Sequence, residues 1–120
     1  MASSCNTGLR RLIMACKFSR QGFLAAYQHE EAFKQEVWVL IAAIPLALWL
    51  GNNGIEIILL IGSILLLMAI ELLNSAVEAV VDRIGTEKHE LSGRAKDIAS
   101  AAVFVGIIIV VLTWGTLLLT

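Results

Sequence analysis

The stretch Ile98–Thr120, IASAAVFVGIIIVVLTWGTLLLT, holds no ionisable side chain and exceeds the ~20 residues a helix needs to cross ~30 Å of hydrocarbon. The rest of the chain agrees with it. Of the 120 residues 58% are hydrophobic and the mean hydropathy is +0.83, too apolar for a domain that must leave much of its surface wet. The fold class expected is an all-α membrane protein, and working back from Ile98 adds two further spans. Ile57–Val81 is long enough, although its last third, from "AIELLNSAVEAVVDR" (69–83), carries charge. Val37–Leu50 is short, so the span is extended back to about Phe33, with Lys34 and Glu36 at the membrane surface and Pro45 as a tolerated kink.

The chain is expected to form one membrane domain, with spans at about 33–50, 55–82 and 96–119 and a polar connector at 83–95. Basic residues orient it. Arg10, Arg11, Lys17, Arg20 and Lys34 precede the first span, and Arg83, Lys88, Arg94 and Lys96 lie between the second and third. These are all nine, and "GNNGIE" (51–56) and the C-terminus have none, so the N-terminus and the connector are expected in the cytoplasm and the C-terminus outside. No cleavable signal is visible, and Cys5 and Cys16 read as free thiols in reducing surroundings. Ahead of the spans, residues of about 7–28 set Leu9, Leu12, Ile13, Cys16, Phe23, Leu24 and Tyr27 near one side of a helical wheel, with Arg10, Arg11 and Lys17 off it. That pattern predicts an amphipathic helix lying on the inner leaflet, although Phe18 and Arg20 fall on the wrong faces and Gly22 weakens its middle. "GNNG" (51–54) predicts a tight turn of residues that accept positive φ, Gly85 an end to the second span, and Ser92 a cap for the third.

Helical spacing puts Glu71, Asn74, Ser75, Glu78 and Asp82 within an arc of about 100°, rising ~16 Å from first to last. One end of this stripe reaches water and the other lies inside the membrane. A charged carboxylate at that depth costs at least ~2.5 kcal/mol, so Glu71 must face protein, water or a cation. Asn74 or Ser75 alone would read as interhelical glue, but two acids seven residues apart repel unless something positive lies between them. Hard oxygen donors mixed with Lys and Arg suggest Mg²⁺ carrying substrate phosphates. There is no Walker loop and no G-x-G-x-x-G, so a nucleotide would need another scheme, and His29 and His89 are not at zinc-site spacing.

The motifs "EAFKQE", "IELLNSAVEAVVDRIG", "HELSGRAKD" and "SAAV", in this order over nearly the whole chain, resemble the small integral-membrane diacylglycerol kinases of bacteria. The resemblance implies a homotrimer, each subunit with a surface helix and three spans, that phosphorylates diacylglycerol to phosphatidic acid with ATP and Mg²⁺ at the inner membrane. It implies Glu71 as general base with Asn74 orienting it, and Glu30 and Glu78 as metal ligands. Nucleotide contacts would come from Arg11, Phe18, Glu30, Glu78, Glu87, Lys88, His89, Lys96 and Asp97, and the lipid would lie beside Leu24, Tyr27, Phe33, Gln35, Glu36, Glu71 and Ser100. Phe18 stands where the family pattern has a tyrosine, and Lys88 where it has another aromatic. Three alternatives stand beside this reading: an undecaprenol kinase of the same fold, a small proton-coupled transporter built on one intramembrane Glu, and a structural subunit assembled through Ala102 and Gly106. Three spans bury too little to shield a stripe this wide from lipid, so neighbouring subunits are expected to share the sites.

Overall fold

A computed structural model describes residues 8–85 and 87–120. Cys5, and Thr7 at the start of the expected surface helix, lie outside the described residues. The described residues form four helices, α1 (Gly8–His29), α2 (Glu31–Leu50), α3 (Gly54–Ile84) and α4 (Glu90–Leu119), and no strand. α2, α3 and α4 are each long and apolar enough to cross a membrane.

α1 runs through Gly22 without a break, and Ala26 is its one buried residue. Leu9, Leu12, Ile13, Phe23 and Leu24 stay exposed along it, the surface an interfacial helix would press into lipid. Glu30 alone separates α1 from α2. Its extended backbone turns the chain while the ladder continues around it, Glu30 N–H donating to Ala26 O at 2.8 Å and Lys34 N–H to Glu30 O at 3.1 Å. The Lys34 ammonium sits 5.4 Å from the centre of the Tyr27 ring, a cation–π contact across this hinge.

The 51–53 turn is as short as expected but works differently. No described residue lies in the left-handed region of φ. Asn53 caps α3, its Oδ1 accepting from Glu56 N–H at 2.9 Å, and Glu56 reaches back to accept from the Asn52 backbone and side-chain amides. Gly51 is needed for closeness rather than for φ, since a Cβ there would come within 2.5 Å of Ile57 Cγ1.

α3 is the central helix, packed on α2 along one side and on α4 along another, while α1 touches α2. Small residues let the backbones approach: Ala43 and Ala47, one turn apart, are buried on α2, and Gly106 of α4 faces Leu67 and Ile70 of α3. Gly106 therefore serves packing within the chain, whereas Ala102 is exposed. Leu60 and Ile64 fill the middle of the core. The Leu60 carbonyl accepts from Ser63 Oγ at 2.9 Å and from Trp114 Nε1 at 3.0 Å, which ties α4 to α3 through a polar contact inside an apolar layer. Gly85 ends α3 as expected. Ser92 does not cap α4: His89 does, its Nδ1 accepting from Leu91 N–H at 3.1 Å, so helix begins at Glu90 and the connector outside helices is shorter than 83–95.

Candidate active site

At 1.5 Å per residue, α3 is about 46 Å long, so with Gly54 at one edge of a ~30 Å hydrocarbon layer roughly the last ten residues project beyond the other. Glu71 then lies inside the layer near that edge, and Glu78 and Asp82 lie at or past it. Exposure follows this depth. Glu71 is only 5% exposed, Asn74, Ser75 and Glu78 are partly buried, and Asp82 is open.

Around Glu71 the stripe becomes a polar nest. Asn74 Nδ2 donates to Glu71 Oε2 at 3.4 Å, a long bond that still aims the carboxylate along the helix. From α2, the Glu36 carboxyl lies near that of Glu71. Glu36 Oε1, Asn74 Oδ1 and Ser75 Oγ are buried and meet no hydrogen-bond partner. Three such atoms beside one buried acid leave unused acceptors and a donor for a hydroxyl-bearing molecule, because an orphaned buried polar group costs about 1–3 kcal/mol. Of the residues expected at the lipid, Phe33 is buried, Tyr27 is partly buried under Lys34, and Leu24, Gln35 and Ser100 are exposed.

The other end of the stripe opens into a pocket of about 800 Å³ between the end of α3 and the first turns of α4. Asp82, Glu87, Lys88, His89, Glu90, Arg94, Lys96 and Asp97 line it, so five of the nine residues expected at a nucleotide (Glu87, Lys88, His89, Lys96 and Asp97) are gathered in one place. Arg11, Phe18, Glu30 and Glu78 do not line it. Lys96 Nζ donates to Asp82 Oδ1 at 2.8 Å, clasping α4 to α3, and Arg94 pairs with Glu90 at 3.3 Å. Lys88 has no ion-pair partner among the described residues. With Nδ1 committed to the helix cap, His89 offers a ligand only its other ring nitrogen.

The donor chemistry of Glu30 and Glu78, each taken singly, suits Mg²⁺. Although Glu30 is the N-cap residue of α2, its side chain makes no cap hydrogen bond, so its carboxylate is uncommitted. Glu78 forms no ion pair among the described residues. Among those residues no three His, Cys, Asp or Glu side chains converge on a common metal position. That excludes a closed protein cage there but suits Mg²⁺, which takes one or two carboxylates and fills its other positions with water and phosphate.

The sequence alone put Glu71 and Asn74 on one helical face but did not show three neighbours: Glu36 near Glu71, Lys96 against Asp82, and Trp114 against Leu60. The first two join residues already singled out, whereas nothing in the order of residues marked Trp114.

Known proteins resemble the chain over most of its length. The family model for prokaryotic diacylglycerol kinase matches residues 17–118. A diacylglycerol kinase of Haemophilus influenzae is 57% identical over 93% of this chain and 95% of its own length. One from Escherichia coli is 53% identical over 93% and 92%, and one from Helicobacter pylori 42% identical over 93% and 88%. With a family match across nearly the whole chain and a buried Glu71 bonded to Asn74 on the helix that leads to a charged pocket, the chain belongs to the prokaryotic diacylglycerol kinase family.

Proposed function

We propose that this protein transfers the γ-phosphoryl group of ATP to the primary hydroxyl of diacylglycerol, giving phosphatidic acid and ADP. The observation that carries this reading is one helix, α3, bearing a buried acid at membrane depth and, about 16 Å further along, the wall of a charged pocket. A lipid hydroxyl can reach the first while its acyl tails stay in hydrocarbon. A nucleotide can occupy the second.

Glu71, ionised and oriented by Asn74, takes the proton of the hydroxyl as its oxygen attacks the γ-phosphorus. Phosphoryl transfer needs in-line placement and neutralised charge more than covalent chemistry from the protein. Lys88, Lys96 and the free ring nitrogen of His89 supply donors to phosphate oxygens, but the pocket sets four acids against three bases. That balance favours ATP carrying a divalent cation over bare ATP. Held by Glu30 and Glu78, Mg²⁺ would neutralise phosphate charge. Arg11 and Phe18 of α1 would close over the nucleotide. Leu24, Tyr27, Phe33, Gln35, Glu36 and Ser100 would border the lipid.

The active form is a homotrimer in the bacterial inner membrane, with α1 and the 85–89 connector cytoplasmic and the C-terminus outside. Support comes from the basic residues, all before the first span or between the second and third, and from the many large apolar side chains left exposed on α2, α3 and α4. A monomer held apart in detergent that kept full activity would refute shared sites.

The test offers diacylglycerol and undecaprenol separately, in mixed micelles with Mg²⁺ and γ-labelled ATP. Label in diacylglycerol supports the proposal. Preference for undecaprenol would keep the chemistry and reassign the substrate, and label in neither would favour proton-coupled transport through Glu71.

A further inference from the structure

α1 carries Arg11 and Phe18, two of the residues expected at the nucleotide, and it is held chiefly at one end. Its main packing partner is α2, and its one buried residue, Ala26, lies in its last turn. Glu30 alone links the two helices, with extended backbone (φ −116°, ψ 107°) and hydrogen bonds to Ala26 O and from Lys34 N–H that carry the ladder past it. Phe33, only 2% exposed, plants the first turn of α2 in the core. Two backbone bonds close this corner without fixing the angle between the helix axes, since small changes of φ and ψ at a single linking residue swing a whole element. The lever is long. Phe18 lies about 14 Å and Arg11 about 24 Å along α1 from Tyr27, so a shift at the corner grows on the way to them.

One side-chain contact spans the corner. Lys34 Nζ, in the first turn of α2, lies 5.4 Å from the centre of the Tyr27 ring in the last turn of α1, within the reach at which a ring face attracts a cation. Glu30 and Glu31, four and three residues before it, are the carboxylates a helical lysine would ordinarily meet, yet Lys34 forms no ion pair among the described residues. We propose that the Tyr27–Lys34 contact is a clasp that sets the angle of α1 on α2, and with it the placement of Glu30, Phe18 and Arg11 at MgATP. Lys34 is then a positioning residue that touches neither the nucleotide nor the lipid. By drawing the ammonium onto the ring, the clasp also keeps a lysine off the Glu30 carboxylate, which a metal ligand requires. The effect on MgATP rests on the nucleotide site proposed above; the clasp itself does not.

Clasp and consequence are measured separately. In NMR spectra of the protein in detergent micelles, the Cε protons of Lys34 should be shifted upfield by the ring and should return to the ordinary lysine position in Tyr27→Leu. Absence of that shift from the parent would overturn the clasp whatever the reaction. In turnover, Lys34→Gln should raise KM for MgATP about two- to fivefold, the span for an exposed cation–π contact, with kcat at saturating MgATP close to the parent's. Lys34→Arg should keep the parent's KM, because a guanidinium takes the same place over a ring. Tyr27→Leu should raise KM as Lys34→Gln does, and the double variant no further. An unchanged KM in Lys34→Gln, an equal rise in the Gln and Arg variants, or additive rises in the double variant would each overturn the positioning role while Arg11→Ala and Glu30→Gln still weakened MgATP. If those two variants bound MgATP as the parent does, the nucleotide reading of α1 would fail and the role of Lys34 with it, and the Lys34 proton shift would still report the clasp.

Discussion

The two ends of the α3 stripe carry the same residue types and behave differently. At one end Glu71 is enclosed, bonded to Asn74, and near polar atoms that have no partner among the described residues. Eleven residues on, Asp82 is open and paired with Lys96 at the edge of a roomy charged pocket. Depth, rather than residue identity, divides the work. A carboxylate with few water molecules around it becomes a base of useful strength, and carboxylates in water become counter-ions and metal ligands.

Substitutions along the stripe can break this division. The largest effect is expected at the dry end: Glu71→Gln should lower kcat by roughly 10²- to 10⁴-fold, the range for removing a general base. A loss confined to KM for lipid would contradict it. Glu78→Gln should cost at least ~10-fold and recover in part as Mg²⁺ is raised; a magnesium titration parallel to the parent's would remove Glu78 from the metal. Asn74→Ala should cost about tenfold in kcat, the low end for a hydrogen bond to a charged group, because the bond is long at 3.4 Å. The smallest effect belongs to the wet end. Asp82→Asn breaks an ion pair whose side chains are 43% and 59% exposed, so unfolding in denaturant should shift by less than ~1 kcal/mol. A larger shift would show that the Lys96–Asp82 clasp, not helix packing, holds α4 to α3.

Much of this was legible in the order of residues. The 3.6-residue period alone gathers Glu71, Asn74, Ser75, Glu78 and Asp82, and an uncharged run like Ile98–Thr120 has few alternatives to a span. What stayed hidden is contact between helices. Which residues of α2 face α3 is set by the packing of the two helices, where small Ala43 and Ala47 are buried, and periodicity does not encode that. The cap of α4 was misread for a local reason. Ser92 is a common cap type, but the His89 ring nitrogen reaches Leu91 N–H first, and the charge-dense "ELSGR" then winds as helix with Glu90 and Arg94 paired four residues apart. At the 51–53 turn, glycine was required by the Ile57 side chain rather than by φ, a need visible only in three dimensions.

Equilibrium binding of MgATP to the parent and to Glu71→Gln and Lys96→Ala variants in lipid, set beside single-turnover transfer at saturating MgATP, tests the division most directly. If the ends are separate, Glu71→Gln binds MgATP as the parent does but transfers almost nothing, and Lys96→Ala binds weakly yet transfers once saturated. Loss of MgATP binding in Glu71→Gln would contradict the account.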